Sequence, residues 1–208
     1  MKNFAPLAPI DRCVTLNSRI TLLRSSGVRL LAAVILTLPL ATRANGALFV
    51  MDRAESHVDI AVKSTLDSFL ARLENFDVAI TLDPESARIE STAFHADLSA
   101  VKTGSADRDH NMRVWLQTNE FPQVVFELSA VDCGPNGALT ARGKFQLHGQ
   151  RHEIRFPVTV SVNRGLAAID GTATLDTQDF GLPIIRYWIL TVDPLVHVHI
   201  HLQGSLTQ

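Results

Sequence analysis

Residues 154–162 read IRFPVTVSV. Ile154, Phe156, Val158, Val160 and Val162 alternate with Arg155, Pro157, Thr159 and Ser161. Successive side chains of an extended chain point to opposite faces, so a strict period of two describes a strand with one buried and one wet face. The same period recurs on either side. Val58, Ile60 and Val62 carry it, then Val78, Ile80 and Leu82, and finally Val196, Val198, Ile200 and Leu202, which alternate with His197, His199 and His201. Turn sequences punctuate these runs: Asp83-Pro84-Glu85, Gly134-Pro135-Asn136-Gly137, His148-Gly149-Gln150, Asn163-Arg164-Gly165 and Asp193-Pro194. Many strands joined by short polar turns predict antiparallel pairing, and about eight of them suffice to close a small barrel.

Two segments break the period. Residues 106–116 (ADRDHNMRVWL) place Met112, Trp115 and Leu116 at helical spacing behind the acidic Asp107 and Asp109. That predicts a helix of about three turns. Residues 65–76 (TLDSFLARLENF) put Leu66, Phe69, Leu70, Leu73 and Phe76 on one helical face. They read as a second short helix or as a bent strand. The expected fold is therefore all-β: an eight-stranded antiparallel barrel with one or two short helices capping it. Such a barrel is either filled by side chains or holds one small ligand. Residues 124–131 (VVFELSAV) are apolar at both registers, as are 167–169, which suits a face lining a cavity and equally suits a dry core.

The net charge of −2 over 208 residues averages two unlike pieces. Residues 1–44 carry six cations and one anion, whereas the remaining 164 carry 13 cations and 20 anions. An acidic body repels phosphate backbones, which excludes nucleic acid as the expected partner. The cationic piece holds the apolar run 30–40 (LLAAVILTLPL), preceded by Arg24 and Arg29 and followed by Ala41-Thr42-Arg43-Ala44. A basic stretch, an apolar run of about 7–15 residues and small residues before the cut site form the layout of a secretory signal peptide. The run is too short, against the ~20 residues needed, to span a bilayer. Two segments are expected: an N-terminal extension with signal peptide over 1–44, and a barrel domain over 45–208 in the periplasm or outside the cell. Cys13 falls in the part to be removed, leaving Cys133 as the one cysteine of the mature chain. A lone cysteine closes no internal disulfide, so the domain is expected to be held by its core.

Three motifs resemble the YceI family of bacterial secreted lipocalin-like proteins. Residues 99–126 contain SAVKTG, RDHNM and WLQTNEFPQVVF; residues 143–152 read GKFQLHGQRH; and Asp179-Phe180-Gly181 follows. They occur in the family's order. The resemblance implies a lipocalin-like barrel closed by a short helix and holding a long apolar molecule, such as a polyisoprenoid or a fatty acyl or amide chain, without catalysis or cofactor. Ile60, Thr103, Arg108, His110, Trp115, Phe121, Phe126, Phe145, Phe156 and Phe180 are the ligand-binding candidates. The sequence departs from the family pattern after Lys63, at Gln146, at Thr177 and in the unusually apolar run 182–190, all expected around the mouth.

Other chemistries weigh less. His197, His199 and His201 share one strand face about 6–7 Å apart, and imidazoles suit zinc, copper or nickel, so a periplasmic metal-binding protein is the alternative. The strand would have to curve to converge all three. Ser99, Asp109 and His110 invite a hydrolase reading, but neighbouring helical residues point about 100° apart, and a triad needs convergence. The reading favoured for Arg108-Asp109-His110 is a helix start, with Arg108 paired to a carboxylate at the rim. Trp115 is expected to seal the cavity or the core. Tyr187-Trp188, within the apolar run 184–190, forms a candidate surface for a membrane, a membrane protein or a second copy in a homodimer.

Overall fold

The computed structural model of the protein describes residues 46–207. The alternating stretch at 154–162 lies in the middle of strand β9 (Gln150–Asn163), with Phe156, Val158 and Val160 buried and Arg155, Pro157, Thr159 and Ser161 exposed. The other strands, in chain order, are β1 (Ala47–Met51), β2 (His57–Lys63), β3 (Ser68–Leu73), β4 (Phe76–Asp83), β5 (Arg88–Asp97), the two-residue β6 (Val101–Lys102), β7 (Gln123–Cys133), β8 (Leu139–Leu147), β10 (Leu166–Asp176), β11 (Arg186–Tyr187), β12 (Leu190–Thr191) and β13 (Leu195–Thr207). One α-helix, α1 (Ala106–Trp115), links β6 to β7.

Eight strands close a barrel in the order β1, β4, β5, β7, β8, β9, β10, β13, with β13 returning to β1, and every pairing is antiparallel. Along the edge away from β10, β13 is long enough to serve two partners. Its C-terminal part pairs with β1, from Gly204 opposite Met51 onward, and its middle pairs with β2, from His197 opposite Ala61 to His201 opposite His57. The changeover is pinned at Gln203. Its carbonyl accepts from the Asp52 amide (2.7 Å) and the Ser56 hydroxyl (3.1 Å), and its amide donates to Ser56 Oγ (3.0 Å). β2, β3 and β6 thereby extend the wall at the end where α1 sits. Phe49, Leu82, Val160 and Ala167 fill the opposite end.

The second-helix reading of residues 65–76 is corrected. Ser68–Leu73 is β3, which buries Ala71 and Leu73, half-buries Phe69 and leaves Leu70 60% exposed. Phe69, Ala71 and Leu73 also satisfy a period of two, and pairing with β2 across six residue positions decides between the periods. The two-faced apolar stretch 124–131 falls in β7, where Val124, Phe126 and Leu128 face inward and a register shift between Leu128 and Ala130 follows. A bulge of that kind interrupts simple alternation. Cys133 ends β7 instead of lying in the following loop and is not a free thiol, which corrects its reading as an unpaired residue. The expected export segment and Cys13 lie outside the described residues.

Candidate functional site

The barrel encloses a cavity of about 800 Å³ beneath α1. Inward positions of the strands supply its wall: Phe94 of β5, Phe126 of β7, Phe156 of β9, Ile169 of β10 and Ile200 of β13 among them. Two glycines explain why so many phenyl rings leave an open interior. A Cβ at Gly143 of β8 would strike the Phe126 ring and the Glu127 carbonyl, and one at Gly171 of β10 would stand 3.1 Å from the Phe156 ring. Each ring therefore lies against the backbone of a nearby strand. The two rings also meet each other, with centroids 5.6 Å apart. Ala71, Ala141 and Ala173, small and inward-facing, add further room.

Polar groups gather at the mouth. Thr103, Arg108, Asn111, Thr177, Arg186 and Asp193 line it, while the deeper wall is apolar except for Thr92. Helix α1 spans this end, and three contacts set its position. At its start, Asp109 is buried and one of its carboxylate oxygens accepts from the Thr103 amide (2.8 Å) and the Thr103 hydroxyl (2.6 Å). Those two donors hold its carboxyl below the usual carboxylate range. Ser105 stands at the N-cap but makes no side-chain capping bond, so Asp109 fixes the helix entry together with Asp107 in the favourable first turn. Along its length, the Arg108 guanidinium lies 4.2 Å over the Phe69 ring. At its end, Trp115 Nε1–H donates to the Pro183 carbonyl at 2.8 Å. The latter bond ties the lid to residues 183–194, which close the other side of the mouth.

Of the expected ligand-binding residues, Ile60, Thr103, Arg108, Trp115, Phe126, Phe145 and Phe156 line one cavity. Arg108 meets an aromatic face instead of a rim carboxylate. His110 is exposed on α1, away from the lining. Phe180 is buried outside the lining, edge-on to Phe145 (5.5 Å) and His152 (5.2 Å). Phe121 packs on His148 at 4.4 Å. His148 in turn reaches the Phe180 carbonyl (3.1 Å) and Gln117 Oε1 (3.2 Å), so these residues clamp three mouth loops together from outside. The apolar run 182–190, expected near the mouth, supplies residues 182–186 and Leu190 to its lining; sequence reading missed Asp193, which reads as part of an Asp-Pro turn.

His197, His199 and His201 lie on the face of β13 opposite the cavity-lining Val196, Val198 and Ile200. His197 and His199 each turn sideways to a hydroxyl of β10, Thr174 at 3.0 Å and Thr172 at 3.4 Å, and His201 meets Asp170 at 2.6 Å. His57 stacks near His201 at 5.2 Å, and Asp59, bridged by Arg72 at 2.7 Å, lies on the paired strand. Two carboxylates are thus at hand, which spacing alone did not reveal, but the rings do not converge. Among the described residues no three His, Cys, Asp or Glu are grouped to hold a metal ion.

A family model described as "YceI-like domain" matches residues 49–204. A UPF0312 protein of Shewanella baltica strain OS185 is 27% identical over 175 residues, covering 74% of this chain and 87% of its own. Among solved structures, BcnA of Burkholderia cenocepacia superposes with a TM-score of 0.67 at 21% identity, covering 75% of this chain and all of its own. A domain from Saccharophagus degradans, described as polyisoprenoid binding and implicated in plant cell wall breakdown, gives 0.56 at 14% identity over 77% of this chain and 99% of its own. At those identities the structural likeness speaks for the fold.

Proposed function

The chain belongs to the YceI-like domain family, and from that premise we propose that it is a non-catalytic carrier holding a polyisoprenoid or long acyl chain inside its barrel. The observation that carries this reading is the cavity itself: about 800 Å³, apolar along its depth, with polar side chains at the mouth. Its size falls within the range of about 300–1,000 Å³ typical of small-molecule sites. An apolar chain entering it sheds water along its whole length, at roughly 25 cal/mol per Å² removed from water. The mouth groups, Thr103, Arg108, Asn111 and Arg186, are positioned to face a polar head. The Saccharophagus domain's description supports the ligand class, and the cationic, apolar residues 1–44 support export to the periplasm or beyond.

Nothing about the mouth calls for catalysis. Asp109 is spent on Thr103, His110 faces outward, and Ser99 sits in a 3-10 turn with its amide bonded to Asp97. Mass spectrometry of a lipid extract from protein purified out of its export compartment is expected to show a bound isoprenoid or acyl species. A barrel empty of any such species overturns the reading.

A further inference from the structure

Residues 186–191 form a minimal hairpin, with Tyr187 paired to Leu190 and Trp188 and Ile189 at the turn. Trp188 has φ 56°, whereas Ile189 is not in the left-handed region. In a two-residue hairpin loop, positive φ at the first central position alone is the pattern that favours glycine. A tryptophan there is strained, and what it meets is the equally outlying Tyr187 ring, stacked at a centroid distance of 6.4 Å: Trp188 is 93% exposed, Tyr187 70% and Ile189 74%. A rule of local structure broken for an aromatic pair that stays in solvent points to a use outside the fold.

The tip is firmly mounted. Thr65, in the β2–β3 turn, donates its amide to the Thr191 carbonyl (2.9 Å) and its hydroxyl to the Ile189 carbonyl (2.8 Å), and accepts from the Thr191 amide (3.1 Å). The neighbouring Leu66 is 63% exposed. The same loop turns inward at its roots, where Ile184, Ile185, Leu190 and Val192 line the cavity. Apolar surface thus runs from the exposed tip to the interior. Charges beside it are balanced, Lys63 and Arg186 against Asp67 and Asp193.

The geometry points to a phospholipid bilayer as the partner of this tip: Tyr187, Trp188, Ile189 and Leu66 enter the interface and set the barrel mouth against the membrane from which an apolar chain is drawn. Tryptophan and tyrosine, apolar in body and polar at one edge, are the side chains that settle at that interface. The balanced rim makes the contact apolar in origin, so it is expected on neutral lipid and should resist salt. The inference rests on the carrier reading for its purpose, but its test stands apart.

The experiment sediments the protein with vesicles of phosphatidylcholine alone, at low and high salt, beside a variant carrying Tyr187→Ser, Trp188→Ser and Ile189→Ser. All three side chains are exposed, so circular dichroism and thermal melting should match the parent. The expected result is vesicle binding that survives salt and falls at least about tenfold in the variant. Transfer of dansyl-farnesol from donor vesicles should slow in the variant, while its uptake of the same probe added from solution is unchanged. No binding to phosphatidylcholine, binding abolished by salt, or a dimer in solution that the substitutions dissociate overturns the inference. A barrel that takes up no dansyl-farnesol from solution and yields no lipid on extraction sinks the carrier reading alone, and sedimentation still decides the docking.

Discussion

Asp109 shows how one carboxylate sets a lid. Both donors of Thr103 converge on it, which favours the ionised form and lowers its pKa in the folded state. The stability this contributes is fully present above the ordinary carboxylate pKa of about 3.9 and is lost as pH falls through the folded value. Asp109→Ala is expected to cost roughly 1–3 kcal/mol at neutral pH, since the Thr103 donors lose a buried acceptor. Urea denaturation should show that gap narrowing once pH drops below about 4. Asp109→Asn keeps an acceptor oxygen and should lose less at neutral pH, while showing the same insensitivity to acid. The sequence displayed Asp109 as a first-turn acid but hid its partner, because a six-residue separation between Thr103 and Asp109 matches no helical or capping spacing. Arg108 was legible as a mouth residue and misread in its partner for the same reason: the Phe69 face it covers comes from a distant strand.

At the level of elements, period two was readable wherever one face was buried, and β9 and β13 appear where alternation is strictest. β3 was ambiguous because Phe69 and Leu73, four residues apart, suit both periods, and only pairing with β2 separates them. The β11–β12 hairpin had no signal, since Trp188 occupies the position where glycine would have announced a turn. The glycines that mattered were equally silent, looking in sequence like ordinary strand interruptions. Gly143→Ala forces a Cβ into the Phe126 ring and the Glu127 carbonyl. Overpacking of this kind is expected to cost about 1–3 kcal/mol, read as a lower denaturation midpoint, and to push the Phe126 ring into the cavity.

For the molecule as a whole, strand number and antiparallel connectivity followed from the turns, but whether the interior was open did not. That depends on how the Phe126 and Phe156 rings lie across the wall, a property of pairs of strands. Ala173→Phe, on an inward position of β10, should occupy part of the cavity. Extracted lipid per barrel is expected to fall at least severalfold while the fold, read by circular dichroism, persists. The junction of β1 with β13 has a further consequence, in time rather than in space. Strands near the two ends of the described chain meet to complete the wall, and such distant pairings form late and slowly. The wall stays open until β13 is laid beside β1, so a chain still lacking β13 has no closed interior in which to hold an apolar molecule.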